Sequence, residues 1–181
     1  MEWEFVVLNN IQGIRNAFLD RAMPCISFLG RWCLLWIVLT ILCLAVKRYR
    51  KLGRSLLCNM AVSVVVCNLI MKRVVQRIRP YVLNETVQLI VPPESEYSFP
   101  SGHTFFAFSC ATIVFFYHKK AGIALYVLAV VMAFSRLYLY VHFPTDVMFG
   151  ALFGVLTAVL SYKAEQMFFG ETKKPVNALV H

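Results

Sequence analysis

The sequence predicts an all-α polytopic membrane helix bundle with about five transmembrane helices and an N-terminal interfacial helix. Hydrophobic residues make up 60% of the 181 residues and charged residues only 15%, so the chain is far more apolar than an average soluble domain. The apolar residues are concentrated in five runs, each close to the ~20 residues that a helix needs to cross a bilayer. No linker rich in Gly, Ser or Pro divides the chain, so we expect a single membrane unit.

The five predicted spans cover residues 24 to 46, 53 to 71, 103 to 117, 121 to 141 and 147 to 163. The third is the shortest, and at roughly 1.5 Å per residue it covers only about 22 Å of a hydrocarbon core about 30 Å thick. Its polar end should therefore lie below the headgroup plane, within reach of a lipid phosphate. Together the spans predict a membrane core over residues 24–167, followed by a short cytoplasmic tail over residues 168–181.

The segment before the first span is amphipathic. Its apolar residues recur near helical spacing, with polar residues between them: Phe5, Leu8, Ile11, Ile14 and Phe18. This pattern predicts a helix lying in the membrane interface over residues 1–23. A sixth span is the alternative. We expect no cleavable signal peptide, because the segment lacks a basic start and an uninterrupted apolar core.

The excess of positive charge fits a membrane topology better than a nucleic-acid partner. The formal net charge is +9, from 18 Lys and Arg against 9 Asp and Glu, and much of the excess lies in residues 47–54, between two apolar runs. Cytoplasmic loops carry such charge. By parity, the polar clusters described next lie together on the opposite face. We therefore expect a multi-pass protein of the plasma (inner) membrane with an extracytoplasmic active site.

Three polar clusters interrupt the apolar sequence: Lys72–Pro80, Pro100–His103 and Ser135–Asp146. Catalysis at a phosphate ester depends mostly on positioning and on cations that stabilise the developing charge. Lys72, Arg79 and Arg136 can supply that charge, and arginine can bind two phosphate oxygens at once. For Arg73 and Arg77 we instead favour snorkelling cations at the membrane surface.

The other polar residues of these clusters have the chemistry of acid, base and nucleophile. Ser101 is placed to cap a helix, and Gly102 allows a ligand to approach the first-turn amides, which bind anions. Asp146 follows His142 by four residues across a helix start, so its carboxylate can orient one imidazole nitrogen and leave the other facing phosphate. His103 has no carboxylate partner in the sequence and suits a proton donor. The alternative is a capping Asp beside an unrelated interfacial His.

Two His and one Asp also suggest a metal site, but at least three fixed cations in the same pocket would repel a divalent ion. We therefore predict neither a metal nor another cofactor.

The clusters resemble the complete three-part signature of the type 2 phosphatidic acid phosphatase family. The matching residues are Lys72, Arg79 and Pro80, then Pro100, Ser101, Gly102 and His103, then Ser135, Arg136, His142 and Asp146. The resemblance covers about residues 53 to 163. It implies a helical membrane core in which His142 attacks phosphorus, Asp146 assists it, and His103 protonates the leaving group and then activates water. It also implies that Lys72, Arg79, Ser101, Gly102 and Arg136 hold the phosphate.

The expected activity is hydrolysis of a lipid phosphate or diphosphate through a phosphohistidine, with undecaprenyl diphosphate as the first candidate. Phosphatidylglycerophosphate and lipid A are alternative substrates, and transfer of the phosphate to another lipid is an alternative reaction. A transporter or scramblase could use the same basic cleft without chemistry. Such a protein would not need the pair of His142 and Asp146. We expect the bilayer and its lipid phosphates to be the partners, and the oligomeric state stays open.

Overall fold

The structure is a computed structural model that describes residues 2–169, and within that range all regular secondary structure is helical. The N-terminal half contains α1 (Glu2–Gly13), α2 (Ala17–Gly30), α3 (Leu34–Ala45), α4 (Arg50–Ser63) and the short α5 (Lys72–Val75) and α6 (Pro80–Leu83). A long connection then leads to α7 (Gly102–Tyr117), α8 (Lys119–Tyr138) and α9 (Pro144–Phe169). The prediction of an all-α bundle is confirmed. The predicted tail lies mostly outside the described residues.

Each predicted span corresponds to a helix or to two consecutive helices. Four helical segments of the described chain are long and apolar enough to cross a membrane: Ala17–Ala45, Lys47–Leu83, Lys119–Tyr138 and Pro144–Met167. The third predicted span, α7, has 16 residues and is shorter than these four. The shortness predicted from the sequence is therefore present in the structure.

The N-terminal segment differs from its prediction, because a break divides the predicted interfacial helix. Asn16 is the N-cap of α2, and its side chain accepts hydrogen bonds from the backbone N–H groups of Phe18 (3.1 Å) and Leu19 (3.0 Å). This capping starts the first spanning segment at Ala17 rather than at residue 24. The 12 residues of α1 reach about 18 Å, too short to cross the bilayer alone.

The first spanning segment is itself interrupted between α2 and α3. Trp32 and Cys33 have φ values of 51° and 59°, in the left-handed region that breaks a right-handed helix. The second spanning segment is helical without interruption from Arg50 to Val75, since α4 passes through a π-helical stretch, Val64–Met71, into α5, and this helix ends at Gln76, whose φ is 48°. The break places residues 31–33 at the functional site described below.

The centre of the bundle is α7, which packs against α4, α8 and α9. Most of its residues are buried, as expected for a helix that is apolar on all sides. Two glycines permit the closest contacts: a Cβ on Gly154 would lie 2.4 Å from the carbonyl oxygen of Phe105, and one on Gly122 would lie 2.3 Å from the Cα of Phe115. This packing fixes the N-terminus of α7 beside the starts of α5 and α9.

Candidate active site

Residues of all three polar clusters line one cavity of about 420 Å³ at one end of the bundle. Lys72 comes from α5, Gly102 and His103 from the first turn of α7, Arg136 from the end of α8, and His142 from the link to α9. The convergence predicted from the order of the helices is therefore present in the structure.

His142 and Asp146 form a buried pair at the start of α9. The imidazole is 1% exposed, the carboxylate is fully buried, and His142 Nδ1 lies 3.6 Å from Asp146 Oδ2. That distance is too long for a hydrogen bond, but catalytic contacts are often longer before substrate binds. On the opposite side of the ring, Nε2 lies 3.3 Å from Arg79 Nη1. A guanidinium can only donate, so Nε2 is the acceptor in this contact and carries a lone pair.

The electrostatics favour a neutral imidazole. Burial lowers the pKa of His142 well below its usual range, and the guanidinium groups of Arg79 and Arg136 lower it further, because both factors oppose a second positive charge. A neutral imidazole retains one nitrogen with a free lone pair. The ring is therefore suited to attack an electrophile at neutral pH.

Asp146 is held from several sides. Its Oδ2 accepts a hydrogen bond from the backbone N–H of Phe143 (2.8 Å) and another from the hydroxyl of Ser98. Arg77 donates to Oδ1 at 2.7 Å. These contacts fix the orientation of the carboxylate that faces His142.

The prediction that Arg77 is a snorkelling cation at the membrane surface is wrong. Its guanidinium lies between two buried carboxylates, 2.7 Å from Asp146 Oδ1 and 2.6 Å from Glu4 Oε2. It also donates to the hydroxyl of Thr145 and stacks on the ring of Phe143, 3.9 Å from the centroid. Arg73, by contrast, is exposed, which agrees with the prediction.

The cations of the cavity hold carboxylates from the connection between α6 and α7. Glu94 pairs with both Arg79 (2.7 Å) and Arg136, and Glu96 pairs with Lys72. Burial alone would raise the pKa of Glu94, but Arg136 and Arg79 outweigh it and lower the pKa to about 2. The carboxylate of Glu94 therefore binds both arginines. Two phosphate oxygens fit the same position.

Arg136 retains one unused donor. Its guanidinium contacts Glu94 and the hydroxyl of Ser27, while its buried Nε bonds to no protein atom among the described residues. An unpaired buried donor is costly, and a ligand oxygen in the cavity would relieve that cost.

The Pro100–His103 cluster forms the N-terminus of α7, as predicted, but the predicted cap differs in its hydrogen bonding. Ser101 is the N-cap of α7, but its hydroxyl makes no capping hydrogen bond to the backbone. It instead accepts from the hydroxyl of Thr104 (3.0 Å). The side chain therefore leaves the first-turn amides available to an anion. His103 lies against Gly30 of α2, where a Cβ would lie 2.6 Å from the imidazole Cδ2.

Several residues around the site were not predicted from the sequence. Ser27, Ser98, Glu94 and Glu96 contact signature residues, and Glu4 contacts Arg77. The only signal for any of them was the pair of acidic residues, Glu94 and Glu96, in the connection between the first two polar clusters. Cations that are buried without a counter-charge are unfavourable, so this loop was a reasonable source of partners.

Two histidines and the buried cations Lys72 and Arg136 line one cavity, and Arg79 and the carboxylate of Asp146 contact or face the ring of His142. No group of three or more His, Cys, Asp or Glu that could hold a metal occurs among residues 2–169. Chemically, the site is suited to an anionic substrate that is attacked by an imidazole nitrogen.

Comparison with known proteins agrees with this geometry. The family model of the PAP2 superfamily matches residues 52–169. The chain belongs to the PAP2 superfamily. An undecaprenyl-diphosphatase of Sulfolobus acidocaldarius is 33% identical over 150 residues, which cover 82% of this chain and 72% of that protein.

Solved PAP2 structures share the fold. The crystal structure of Aquifex aeolicus LpxE matches with a TM-score of 0.76 and 28% identity, over 88% of this chain and 94% of that one. A transmembrane PAP2-type phosphatidylglycerolphosphate phosphatase from Bacillus subtilis matches with a TM-score of 0.74 and 26% identity, over 92% and 86% of the two chains. This PAP2 chain is therefore an enzyme, a multi-pass membrane lipid phosphatase.

Proposed function

We propose that this enzyme hydrolyses a lipid diphosphate, with undecaprenyl diphosphate as the first candidate, through a phosphohistidine on His142. The observation that carries the proposal is the geometry of that residue. Nδ1 faces the buried carboxylate of Asp146, and Nε2 faces the Arg79 guanidinium. In this arrangement Asp146 orients the ring and stabilises the imidazolium character that develops as His142 attacks.

The other residues divide the work of binding and proton transfer. Lys72, Arg79 and Arg136, with the backbone at Ser101 and Gly102, bind the phosphate oxygens. The unpaired Nε of Arg136 supports this role. His103, in the cavity beside His142, protonates the leaving oxygen and later takes a proton from the attacking water. Because the three cations supply the charge stabilisation, the reaction needs no metal.

The choice of substrate rests on similarity, since undecaprenyl diphosphate is the lipid that the Sulfolobus relative is named for. Phosphatidylglycerophosphate, which the Bacillus subtilis structure is named for, is an alternative, and so is lipid A. A panel of these lipids, assayed for phosphate release by purified enzyme in detergent, identifies the preferred one. Appearance of a phosphorylated lipid acceptor instead of free phosphate would indicate a phosphotransferase. Absence of phosphate release from every lipid of the panel would contradict the proposed choice of substrates.

The division between the two histidines is testable with an activated aryl phosphate, whose leaving group needs no proton. His103→Ala should recover much of its phosphoryl-transfer rate with this substrate and accumulate phosphoenzyme, because water activation is also impaired. His142→Ala should recover nothing. Base-stable, acid-labile phosphate trapped on the His142→Ala variant would contradict the assignment.

We also propose that the site opens on the extracytoplasmic face of the plasma membrane. The support is the run of cations at residues 47–54, which is typical of a cytoplasmic loop. A cysteine introduced next to Glu94 should react with a membrane-impermeant reagent in intact cells or spheroplasts, and one next to Arg50 should not. The reverse pattern would place the site in the cytoplasm.

A further inference from the structure

One wall of the cavity comes from a segment outside the family signature. The wall consists of Gly30, Arg31, Trp32 and Cys33, at the break between α2 and α3, and these residues line the same cavity as His103 and His142. The left-handed conformations of Trp32 and Cys33 interrupt the spanning segment here. At this break the spanning segment places a charged side chain, Arg31, at the cavity.

Arg31 differs from the other cations of the cavity in its partners. Lys72, Arg79 and Arg136 each pair with a glutamate. The side chain of Arg31 makes no ion pair or hydrogen bond with any residue that the structure describes, and its guanidinium stacks on the Trp32 ring, 4.7 Å from the centroid. Its donors therefore remain available to an anion that enters the cavity.

Arg31 follows directly after a residue that packs against His103. Its neighbour Gly30 packs directly on His103, since a Cβ on Gly30 would lie 2.6 Å from His103 Cδ2. Arg79 contacts His142 Nε2 and shares the carboxylate of Glu94 with Arg136. Under the proposed function, on which this step rests, His103 serves the leaving group. The backbone that carries Arg31 therefore passes the leaving-group side of the site.

We propose that Arg31 binds the lipid-proximal phosphate of a lipid diphosphate, the phosphate that departs with the tail, and so favours diphosphate over monophosphate substrates. A lone pair of His142 Nε2 forms the N–P bond to the terminal phosphorus. The bond from that phosphorus to the bridging oxygen breaks, its electron pair stays on the lipid monophosphate, and His103 gives its proton to that departing oxygen. Arg31 offsets this new negative charge in the transition state.

Regeneration of the enzyme does not involve Arg31. A water oxygen bonds to phosphorus, its proton passes to His103, and the N–P electron pair returns to His142. With a lipid monophosphate, the leaving oxygen belongs to an alcohol, which carries no phosphate for Arg31 to bind and needs the proton of His103. The two substrate classes should therefore depend differently on Arg31.

The test compares farnesyl diphosphate with farnesyl monophosphate, which share one tail. Arg31→Gln should lower kcat/KM for the diphosphate by about 10- to 100-fold, the range for loss of a hydrogen bond to a charged group. Activity on the monophosphate should stay within about twofold by the same argument, which also reports that the variant is folded. Arg31→Lys should recover part of the loss, because it keeps the charge but not the planar fork.

Arg73→Gln is the matched control, since Arg73 is an exposed cation outside the cavity, and it should leave both activities unchanged. Equal loss on both substrates, or no loss on the diphosphate, would overturn the role of Arg31 while leaving the proposed function intact. So would wild-type enzyme that hydrolyses only the monophosphate. Wild-type enzyme that releases phosphate from neither lipid would refute the proposed function itself, and this inference with it.

Discussion

Replacement of Arg77 by methionine removes a cation that two buried carboxylates share. Asp146 is fully buried and the side chain of Glu4 is 4% exposed, and Arg77 contacts them at 2.7 Å and 2.6 Å. Removal of one partner from a buried ion pair costs about 3–5 kcal/mol, because the remaining charge is left uncompensated. For a chain of this size that corresponds to a fall in Tm of about 6–20 °C.

Activity should fall for a separate reason. Arg77 fixes Oδ1 of Asp146, while the other carboxylate oxygen faces His142. Without Arg77 only the hydrogen bonds from Phe143 and Ser98 to Oδ2 hold the carboxylate, so it can shift relative to the imidazole. Misplacement of a catalytic group by about 1 Å can reduce the rate by about 10²-fold. We expect a kcat reduced by that order for Arg77→Met, measured as phosphate release from a lipid phosphate in detergent.

The double variant Arg77→Met with Glu4→Gln separates the two effects. Glu4→Gln neutralises one of the two stranded carboxylates, so part of the lost Tm should return. Catalysis should not return, because Asp146 still lacks its cation. Arg73→Met, four residues before Arg77 and exposed, is the control and should match wild type in both assays. A wild-type Tm and kcat in Arg77→Met would refute the reasoning. Recovery of both quantities in the double variant would show that Arg77 acts on stability alone.

Activity should survive EDTA and be inhibited by vanadate, a mimic of five-coordinate phosphorus. A loss of activity in EDTA that magnesium restores would contradict this prediction. Gly30→Ala should displace His103, because the new Cβ would lie 2.6 Å from its ring, whereas Gly13→Ala, with no atom within 4 Å, should retain wild-type kcat. The Glu94 pKa of about 2 lies below its ordinary 4.5, so its ion pairs should stabilise the protein above pH 4.5 and weaken as pH falls towards 2. Thermal melts of Glu94→Gln should lack that acid dependence.

The fold was predictable from the sequence because a bilayer requires long apolar helices, and these are visible as runs. The sequence did not reveal the breaks. The interruption at Trp32 and Cys33 lies within an apolar run, and the start of α2 depends on a single capping side chain, Asn16. Such local features need the geometry of the backbone, which composition does not supply.

The site was predictable to the extent that its residues form a recognisable signature. Their partners were not, because the contacts are distant in sequence: Arg77 is 73 residues from Glu4 and 69 from Asp146. Arg73 and Arg77 are both cations in the same cluster, and nothing local distinguishes the exposed one from the one between two carboxylates. Tertiary packing of α1 against the residues around Phe143 makes that difference.

The presence of acidic residues beside the arginine pair follows from the cost of burying cations. The side chains of Arg79 and Arg136 are each 3% exposed, and such charges are unfavourable in a ligand-free cavity unless anions accompany them. A glutamate carries one negative charge, whereas a phosphate dianion carries two and offers more acceptor oxygens, so under the proposed function substrate displaces Glu94 from the arginine pair. Glu94 belongs to a connection between helices, which can move more easily than a helical residue. The same carboxylate can return when product phosphate leaves, so the counter-charge that stabilises the empty site also competes with the product.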